Sequence, residues 1–184
     1  MRVISGSAKG RRLRSVPGTD TRPITDRVKE ALFDIVGSDV GGSAWWDVFA
    51  GTGAVGIEAL SRGAAYARFT DLHRGPLETM AANLQLTGLR DRAEVRQANA
   101  YTILAARPDR QFDYVFVAPP QYQGLWSRAL TALDANDSWL SPDGWIVAQL
   151  HPKEYLPLDL VSIEEFDSRR YGTTLLLFFA RKLP

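Results

Sequence analysis

The sequence predicts an α/β fold built on a doubly wound, mostly parallel sheet. Strand-like apolar segments alternate with helix-like segments along most of the chain, and a glycine-rich turn stands where the first of these strands meets its helix. Strands joined through single helices pair in parallel, because such crossovers are right-handed. With 184 residues, 45% of them hydrophobic, the chain is long enough for a single domain with a substantial core.

A short extension is predicted ahead of the sheet. Arg2–Ile4 and Leu13–Val16 have the composition of strands and flank the turn-forming sequence SGSAKG, so we expect a β-hairpin arm within residues 1–20. Apolar residues then recur at helical spacing from Thr25 to Val36, and Thr25 or Asp26 is in position to cap that helix.

From residue 44 onward the pattern alternates between strand and helix. Only a short turn (Asp167–Gly172) separates the last two strands, so we expect these two to pair antiparallel. The predicted elements are strand Ala44–Phe49, helix Val55–Arg62, strand Tyr66–Thr70, helix Gly75–Leu86, strand Ala93–Gln97, helix Ala100–Ala106, strand Phe112–Val117, helix Gly124–Leu133, and strands Trp145–Leu150, Leu160–Phe166 and Thr173–Ala180.

The positive charge of the chain is concentrated at its beginning. Residues 1–30 hold eight Lys and Arg against three Asp and Glu, whereas the rest of the chain holds 14 against 18. A basic arm on a slightly acidic body is typical of a segment that binds nucleic acid, because Lys and Arg neutralise phosphates. Solvated charges and ordinary helix-end salt bridges are the alternatives. The candidate phosphate-binding residues are Lys9, Arg11, Arg12, Arg14, Arg22 and Arg27.

The composition excludes several kinds of site. Without cysteine the chain has no disulfide, no thiolate zinc site and no cysteine nucleophile. His73 and His151 lack ligand spacing, so we expect no metal site. No apolar run approaches the roughly 18–20 residues that span a bilayer, and no apolar stretch follows the N-terminal charges as in a secretory signal. We therefore expect a cytoplasmic protein without a membrane partner.

The glycine-rich turn predicts a ligand of nucleotide type. Gly51, Gly53 and Gly56 form a G-x-G-x-x-G pattern after the strand that ends at Phe49. Such glycines let the backbone turn sharply and approach a ligand that lies across the carboxyl end of the strand. Asp71 follows 20 residues after Gly51, at the end of the next strand, where a carboxylate can bind ribose hydroxyls. This pattern alone fits NAD and S-adenosylmethionine comparably.

Two further features favour S-adenosylmethionine. Asp47 lies inside the first strand, where a buried carboxylate needs a partner, and the methionine ammonium group is a natural one that a dinucleotide lacks. The fourth strand leads into the segment 118–122, which overhangs the cofactor because this strand lies across the switch point from the first. The consecutive prolines Pro119 and Pro120 remove two N–H donors and leave carbonyl groups pointing at the cleft.

Four stretches of the chain resemble one family. They are the opening MRVISGSAKGRRLR, the segments TRPITDRVKEALFDIV (Thr21–Val36) and DVFAGTGAVGIEALSRGA (Asp47–Ala64), and the ending RRYGTTLLLFF (Arg169–Phe179). They are similar to the RsmD family of bacterial methyltransferases, which modify guanine N2 in 16S ribosomal RNA of the small subunit. The resemblance covers essentially the whole chain, and the TRP-x-TDR-x-KEALF segment is more discriminating than the glycine turn.

The resemblance implies a fold, a reaction and a set of cofactor-binding residues. The fold is a seven-stranded, Rossmann-like methyltransferase sheet. The reaction is methyl transfer from S-adenosylmethionine to a guanine N2 amine in the ribosomal RNA or in the small subunit particle, and we expect a monomer. The implied cofactor residues are Asp47, Phe49, Ala50, Gly51, Thr52 and Gly53 for the methionine part, Asp71 for the ribose, Asn99 and Ala100 for the adenine, and Leu72 as a further contact.

Two positions depart from the pattern of the family. Asn99 stands where the family usually has Asp, and an amide oxygen can still accept a hydrogen bond from the adenine amine. The family signature after the fourth strand is D/N-P-P-Y/F, whereas this chain has Ala118-Pro119-Pro120-Gln121, with Tyr122 one position late. Ala118 offers the target amine no side-chain acceptor, and losing one aligned polar contact of this kind costs about 10²–10³ in rate.

We expect the altered segment to act as a unit, so that Ala118, Pro119, Pro120, Gln121 and Tyr122 together form the catalytic loop. In this hypothesis the amine donates to the Pro119 carbonyl and to Gln121, while Tyr122 stacks on a flipped-out guanine. Trp126 lies four residues after Tyr122 and is a weaker candidate for stacking, on the same face of the start of a helix. Packing in the core is the alternative for both rings.

Other functions stay open at this stage. An inactive RNA-binding protein of the same fold is compatible with Ala118. A methyltransferase acting on DNA or on a protein amide is expected to carry an Asn-Pro-Pro-Tyr loop, and this loop is absent. An oxidoreductase that uses NAD needs a catalytic acid, for which the sequence offers no evident candidate.

Overall fold

The computed structural model describes residues 1–18 and 23–182, and there five α-helices accompany one seven-stranded sheet. The helices are α1 (Asp26–Val36), α2 (Ala54–Ser61), α3 (Arg74–Thr87), α4 (Ala100–Leu104) and α5 (Leu125–Ala135). The strands are β1 (Ala44–Asp47), β2 (Tyr66–Asp71), β3 (Ala93–Gln97), β4 (Phe112–Val117), β5 (Leu140–Leu150), β6 (Ile163–Tyr171) and β7 (Thr174–Arg181). Short 3₁₀ helices cover Gly37–Val40, Arg90–Arg92, Asp137–Trp139 and Pro152–Glu154.

The strand order of the sheet is β3-β2-β1-β4-β5-β7-β6. Strands β1 to β5 are parallel, while β7 lies antiparallel between β5 and β6. This arrangement confirms the predicted doubly wound, mostly parallel sheet and its antiparallel last pair. The order reverses between β1 and β4, so a crevice for ligands is expected outside the carboxyl ends of these two strands.

The two faces of the sheet carry separate cores. Successive residues of a strand point to opposite faces, so Trp45 and Trp46 of β1 belong to different layers. Trp45 stacks on Phe33 of α1, with 5.0 Å between ring centroids, in the layer that holds α1, α2 and α3. The rings of Trp46 and Trp139, in the layer that holds α4 and α5, are 4.7 Å apart between centroids. Burial of such large rings supplies much of the stability of both layers.

Several predicted boundaries were wrong. Strand β1 ends at Asp47 rather than Phe49, because the chain already turns at the next two residues. Strand β5 begins at Leu140 instead of Trp145, and α5 begins at Leu125, after Gly124 in a left-handed conformation. In the last hairpin, β6 continues to Tyr171, so the turn is Gly172 and Thr173. The predicted turn over 167–172 is mostly strand, entered through a register shift between Glu165 and Asp167.

The predicted N-terminal hairpin forms only in part. Its two segments meet in one antiparallel bridge, Arg2 with Arg12, and neither Arg2–Ile4 nor Leu13–Val16 is a strand. A few backbone hydrogen bonds, such as Val3 N–H to the Arg11 carbonyl at 2.9 Å, join the segments, and the backbone of the arm also bonds to side chains of the body of the protein. The Arg14 N–H, for example, donates to Asn83 of α3 at 2.7 Å.

A buried ion pair anchors this arm. Lys29 of α1 and Glu58 of α2 are fully buried, with 3.2 Å between the Lys29 Nζ and the Glu58 carboxylate. The same carboxylate accepts the backbone N–H groups of Ile4 at 2.8 Å and Ser5 at 3.0 Å, and the Lys29 Nζ donates to the Arg2 carbonyl at 2.5 Å. Burial lowers the pKa of Lys29, and the Glu58 carboxylate opposes that effect. Lys29 and Glu58 thus neutralise each other, and the backbone of the arm supplies further hydrogen bonds to both side chains.

Ser61, at the end of α2, makes a second attachment. Its hydroxyl donates to the Ser5 carbonyl and accepts the Ala8 N–H, at 2.6 and 2.9 Å. The approach is so close that a Cβ on Gly6 would lie 1.8 Å from the Ser61 carbonyl oxygen. Gly6 also has a φ of 82°, so no other residue fits this turn of the arm.

Within residues 1–18 and 23–182, no helix combines the length and the apolar character that crossing a membrane requires.

Replacing Glu58 by Gln should leave the Lys29 charge buried without its counter-charge. Breaking a buried pair in this way costs about 3–5 kcal/mol of unfolding free energy, which urea denaturation of the variant measures. Glu78→Gln is the control, because Glu78 pairs with Arg74 on the exposed face of α3 and should change stability little. Equal stabilities for the two variants would mean that the buried pair does not anchor the arm.

Candidate active site

The candidate site lies at the carboxyl ends of four parallel strands. The Ala50 N–H, after β1, donates to the Thr70 carbonyl near the end of β2 at 2.9 Å. The Ala98 N–H, after β3, donates to the Asp71 carbonyl at 3.0 Å. These bonds bring the segments that follow β1, β2 and β3 to one edge of the sheet, next to the segment that follows β4. The crevice at the switch point is therefore lined by short, well-tied turns.

The turn after β1 has the backbone that its glycines allow. Gly51 and Gly53 have positive φ angles of 52° and 76°, and Gly53 immediately precedes α2. A Cβ on Gly56 would lie 2.4 Å from a ring carbon of Phe69, so this glycine lets α2 pack closely on β2. The turn exposes its backbone to the crevice while the helix stays tight against the sheet.

Asp71 is held in a fixed orientation at the end of β2. Its two carboxylate oxygens accept the backbone N–H groups of Gly51 and His73, each at 3.0 Å. Every carboxylate oxygen has a second lone pair, so both can still accept from a ligand hydroxyl. Leu72 follows with 51% of its surface exposed beside this carboxylate. The arrangement presents one aligned acceptor group and one apolar side chain to a ligand.

Asp47 is the least satisfied buried group at this edge. It is 3% exposed, and within the described parts of the chain its Oδ1 has no hydrogen-bond partner. Its pKa is raised to about 7, chiefly because the carboxyl group is buried; a hydrogen bond from the Gly56 backbone opposes this rise, and the charge of Asp71 adds to it. A cationic group placed against Oδ1 removes this cost, so the residues fit a ligand with an ammonium group.

The turn after β3 adds an apolar wall. Asn99 is exposed and caps α4, since its Oδ1 accepts the Tyr101 N–H at 2.9 Å, and Ala100 is buried behind it. The centroids of the Tyr101 and Phe49 rings are 5.9 Å apart. The guanidinium of Arg128, on α5, lies 4.0 Å from the centroid of the Tyr101 ring. Sequence reasoning missed Tyr101, although its place directly after Asn99 and Ala100 was a usable signal.

The loop after β4 runs from the core to the surface. Ala118 is partly buried, Pro119 is buried and Pro120 is exposed. Gln121 is partly exposed, and Tyr122 is 66% exposed. The loop thus starts in the core at Pro119 and carries the side chains of Gln121 and Tyr122 at its outer end.

The prediction that Trp126 shares a helical face with Tyr122 was wrong. Helix α5 begins at Leu125, so Tyr122 precedes the helix rather than lying on its first turn. Trp126 is only 2% exposed and packs in the core with α4 and the sheet. A ring buried in this way has no face for a nucleobase.

Glu154 holds the far end of this loop. Its carboxylate accepts the Tyr122 N–H at 2.6 Å and the His151 N–H at 3.2 Å, and His151 Nδ1 accepts the Lys153 N–H at 3.1 Å. The Tyr122 and His151 rings are 5.5 Å apart between centroids. Sequence reasoning missed Glu154, although Pro152 at the first position of a helix and Glu154 at the third are typical of a helix start; the N-cap of the capping box that forms is His151.

The predicted phosphate-binding side chains are exposed wherever the structure describes them. Among residues 1–18 and 23–182, none of them pairs with a carboxylate. The described members of the set are Lys9, Arg11, Arg12, Arg14 and Arg27, and Arg22 lies outside the described residues.

One buried side chain joins the arm to the glycine turn. Asn83 of α3 accepts the Arg14 N–H, and its Nδ2 donates to the Arg14 carbonyl at 3.1 Å and to the Thr52 carbonyl at 3.0 Å. Sequence reasoning missed Asn83, since a lone Asn in a helix gives no signal. In the described ranges, His, Asp and Glu side chains nowhere gather in the groups of three that hold a metal ion.

Comparison with known proteins identifies the family. The family model described as conserved hypothetical protein 95 matches residues 1–180. "Putative rRNA methyltransferase YlbH" of Bacillus subtilis is 37% identical over 184 residues, which cover 99% of this chain and 100% of that protein. "Ribosomal RNA small subunit methyltransferase D" of Escherichia coli K12 is 34% identical over 157 residues, which cover 85% of this chain and 78% of that protein. The chain belongs to the RsmD family.

A solved structure agrees with this assignment. "Putative methyltransferase yhhF" from Escherichia coli superposes with a TM-score of 0.87 at 31% identity, covering 99% of this chain and 98% of that one. The predicted RsmD-type fold, a seven-stranded Rossmann-like methyltransferase sheet, is therefore confirmed. In this RsmD-family chain the edge of the sheet that carries Asp47, Asp71 and Asn99 is the switch-point edge.

The unpaired oxygen of Asp47 predicts a pH-dependent cost in the ligand-free protein. Its pKa is raised from an ordinary 3.8 to about 7, so the folded state retains a proton that the unfolded chain releases. The stability that this proton confers is present below about pH 4 and is lost as the pH rises through 7. Asp47→Asn should abolish this dependence. The difference in unfolding free energy between wild type and Asp47→Asn should therefore change by on the order of 4 kcal/mol between pH 4 and pH 8.

Urea denaturation at several pH values measures that difference. Asp143→Asn, at an exposed position of β5, is the control and should leave the pH profile of wild type unchanged. A wild-type-minus-Asp47→Asn difference that stays constant with pH would show that Asp47 is ionised throughout the range.

Proposed function

We propose that this protein transfers a methyl group from S-adenosylmethionine to the N2 amine of a guanine in small-subunit ribosomal RNA. The observation that carries the proposal is the buried, unpaired Asp47 beside the glycine turn of an RsmD-family fold. Relatives named as ribosomal RNA small subunit methyltransferases support the substrate. A ribosomal RNA substrate in turn implies the cytoplasm, where we expect the protein to act as a monomer.

The residues of the crevice fit the methyl donor. S-adenosylmethionine supplies an electrophilic methyl group on a sulfonium ion, together with an ammonium, a ribose and an adenine. Asp47 would pair with the ammonium group, and the turn Phe49–Gly53 would lie along the methionine part. Asp71 would accept from the ribose hydroxyls, and Asn99 with Ala100 would border the adenine.

The loop 118–122 would orient the target amine. The lone pair of an aromatic amine is delocalised into its ring, so acceptors for its N–H groups are needed to align the nitrogen for in-line attack. The Pro119 carbonyl and the Gln121 side chain can accept these N–H groups, whereas Ala118 cannot. Positioning of donor and acceptor contributes on the order of 7–11 kcal/mol, more than one lost acceptor removes.

The arm and the exposed aromatic ring would bind the RNA. Lys9, Arg11, Arg12 and Arg14 present positive charge that pairs with no carboxylate of the described residues, along a segment tied to the glycine turn through Asn83. Arg22 and Arg27 are proposed to extend this contact. Tyr122, two-thirds exposed at the crevice, would stack on the flipped base.

Ala118 favours a second candidate function. A protein of this fold that lacks the side-chain acceptor could bind the RNA without modifying it. This alternative shares the arm and the donor site with the first, and differs in the absence of turnover.

Labelled methyl transfer to unmodified small subunits, followed by mapping of the modified base, tests the proposal. Under single-turnover conditions we expect a labelled guanine N2, and Gln121→Ala should lower the rate without changing the affinity for S-adenosylhomocysteine, because its oxygen matters only when the amine is present. The neighbouring, exposed Gln123→Ala is the matched control and should behave as wild type.

Each outcome separates the two candidates. No methylation of any small-subunit substrate by the wild type, with RNA binding retained, would identify the inactive RNA-binding protein. Wild-type rates for Gln121→Ala would remove this residue from the mechanism while leaving the reaction intact.

Neutralising adjacent arginines of the arm should reduce the salt dependence of RNA binding. For Arg11→Gln/Arg12→Gln, the slope of log K against log salt should fall by about 1.4–1.8, since each lost phosphate contact removes roughly 0.7–0.9. The control pair Arg169→Gln/Arg170→Gln lies on β6, at the far edge of the sheet. Binding isotherms at four or more salt concentrations give both slopes. An identical decrease for the two pairs would indicate a non-specific effect of net charge.

A further inference from the structure

Tyr122 has an unusual backbone conformation. Its φ is 62°, and within residues 1–18 and 23–182 every other residue with a positive φ is a glycine. A side chain in the left-handed region crowds its own backbone, so this conformation persists only where surrounding contacts hold it. Strained backbone of this kind occurs at ligand clamps and active sites, and here it lies in the loop proposed to face the target base.

The contact that holds Tyr122 is a short hydrogen bond to a carboxylate. The backbone N–H of Tyr122 donates to Glu154 Oε1 at 2.6 Å. Pro119 and Pro120 have no N–H, so the part of the loop nearest β4 cannot be tied to the protein through amide donors. Hydrogen bonds to an ionised acceptor are about twice as strong as neutral ones. Glu154 is therefore the principal tether of the loop's outer end.

Glu154 is itself fixed to the sheet. It ends the 3₁₀ helix Pro152–Glu154, which follows β5 directly, and its Oε2 closes a capping box by accepting the His151 N–H. Strands β4 and β5 are parallel neighbours, with Val117 opposite Ala148, so the turns that follow them lie side by side. The Glu154 carboxylate thus ties the loop after β4 to the turn that follows β5.

The same tether sets the position of the aromatic ring. The Tyr122 ring lies 5.5 Å from the His151 ring, between centroids and at an angle of 41°. The imidazole supports one side of Tyr122 while 66% of the tyrosine stays exposed. A ring supported on one side and open on the other is suited to stack on an unpaired base.

We propose that Glu154 is a positioning residue that holds loop 118–122, and Tyr122 above all, in the conformation that receives the target guanine. This inference rests on the proposed function. Glu154 does not touch the reacting atoms; it acts through the Tyr122 backbone. Its negative charge would repel RNA phosphates, so a direct contact with the RNA backbone does not explain a glutamate at this place.

Single-turnover methylation tests the proposal. Glu154→Ala should lower the rate about 10–100-fold at saturating RNA, because small misplacements of reacting groups cost up to about 10²-fold. Affinity for S-adenosylhomocysteine should not change. Glu154→Gln keeps one carbonyl acceptor, which can serve the Tyr122 N–H while the bond from the His151 N–H is lost, and should recover part of the rate. Glu164→Ala, at an exposed glutamate of β6, is the control for the loss of a negative charge.

A double-mutant cycle distinguishes positioning from general stability. Tyr122→Gly removes both the ring that Glu154 positions and the strained conformation that it holds, so loss of the tether should have a smaller effect in this background. Glu154→Ala should there change the remaining rate less than about threefold, although the ring itself is lost. An equal loss in both backgrounds, or a wild-type rate for Glu154→Ala alone, would overturn the inference.

Amide hydrogen exchange in the RNA-free protein gives a readout that needs no turnover. The Tyr122 amide should be protected in the wild type and in Glu154→Gln, and should exchange at least tenfold faster in Glu154→Ala, while amides of β4 and β5 stay unchanged. Unchanged protection at Tyr122 would show that Glu154 does not hold the loop. If the wild type methylates no small-subunit substrate, the proposed function fails, and the exchange result still decides whether the tether exists.

Discussion

Glu58 lies in a helix whose residues are all buried, and the N-terminal arm folds over its carboxylate and completes its hydrogen bonding. Lys29 and Arg62 supply opposite charge, and the N–H groups of Ile4 and Ser5 complete the hydrogen bonding of the carboxylate. A buried carboxylate without these partners would cost several kcal/mol, so arm, α1 and α2 have to assemble together. The exposed charges of the arm consequently have a fixed place beside the sheet instead of trailing in solvent.

Asp47 and Glu58 are both buried carboxylates, but they differ in the partners that the chain supplies to them. Both carboxylates are buried in the layer around α2, yet Glu58 has four partners from the chain and Asp47 keeps an oxygen without any in the described residues. The chain supplies hydrogen-bond and charge partners for the buried carboxylate of Glu58, whereas one oxygen of the Asp47 carboxylate lacks them in the described residues. In the function proposed above, the oxygen of Asp47 that lacks a partner in the described residues, in a carboxyl group whose pKa is raised, receives a cationic ligand.

The sequence allowed the prediction of features whose signals are local. The glycine turn, the alternation of strands and helices and the cap at Thr25 depend on neighbouring residues, and their positions hold within a few residues. The contacts of Asn83 and Glu154 join segments that are 69 and 32 residues apart, and single polar residues give no periodic pattern. For the same reason the sequence predicted a hairpin for the arm and gave no sign of the bonds that its backbone also makes to side chains of α1, α2 and α3.

These distant contacts matter most where the loop departs from the family pattern at Ala118. A side-chain acceptor at that position aligns the amine by itself, even if the rest of the loop shifts slightly. In the proposed mechanism, alignment without it depends on the direction of the Pro119 carbonyl and the reach of Gln121, both set by the course of the backbone. The prolines fix one end of this loop and the bond from Tyr122 to Glu154 fixes the other. In the proposed mechanism, a rigid loop therefore does what a single side-chain acceptor does in the family pattern. Residues far from the amine, such as Glu154, then determine how well the amine is aligned.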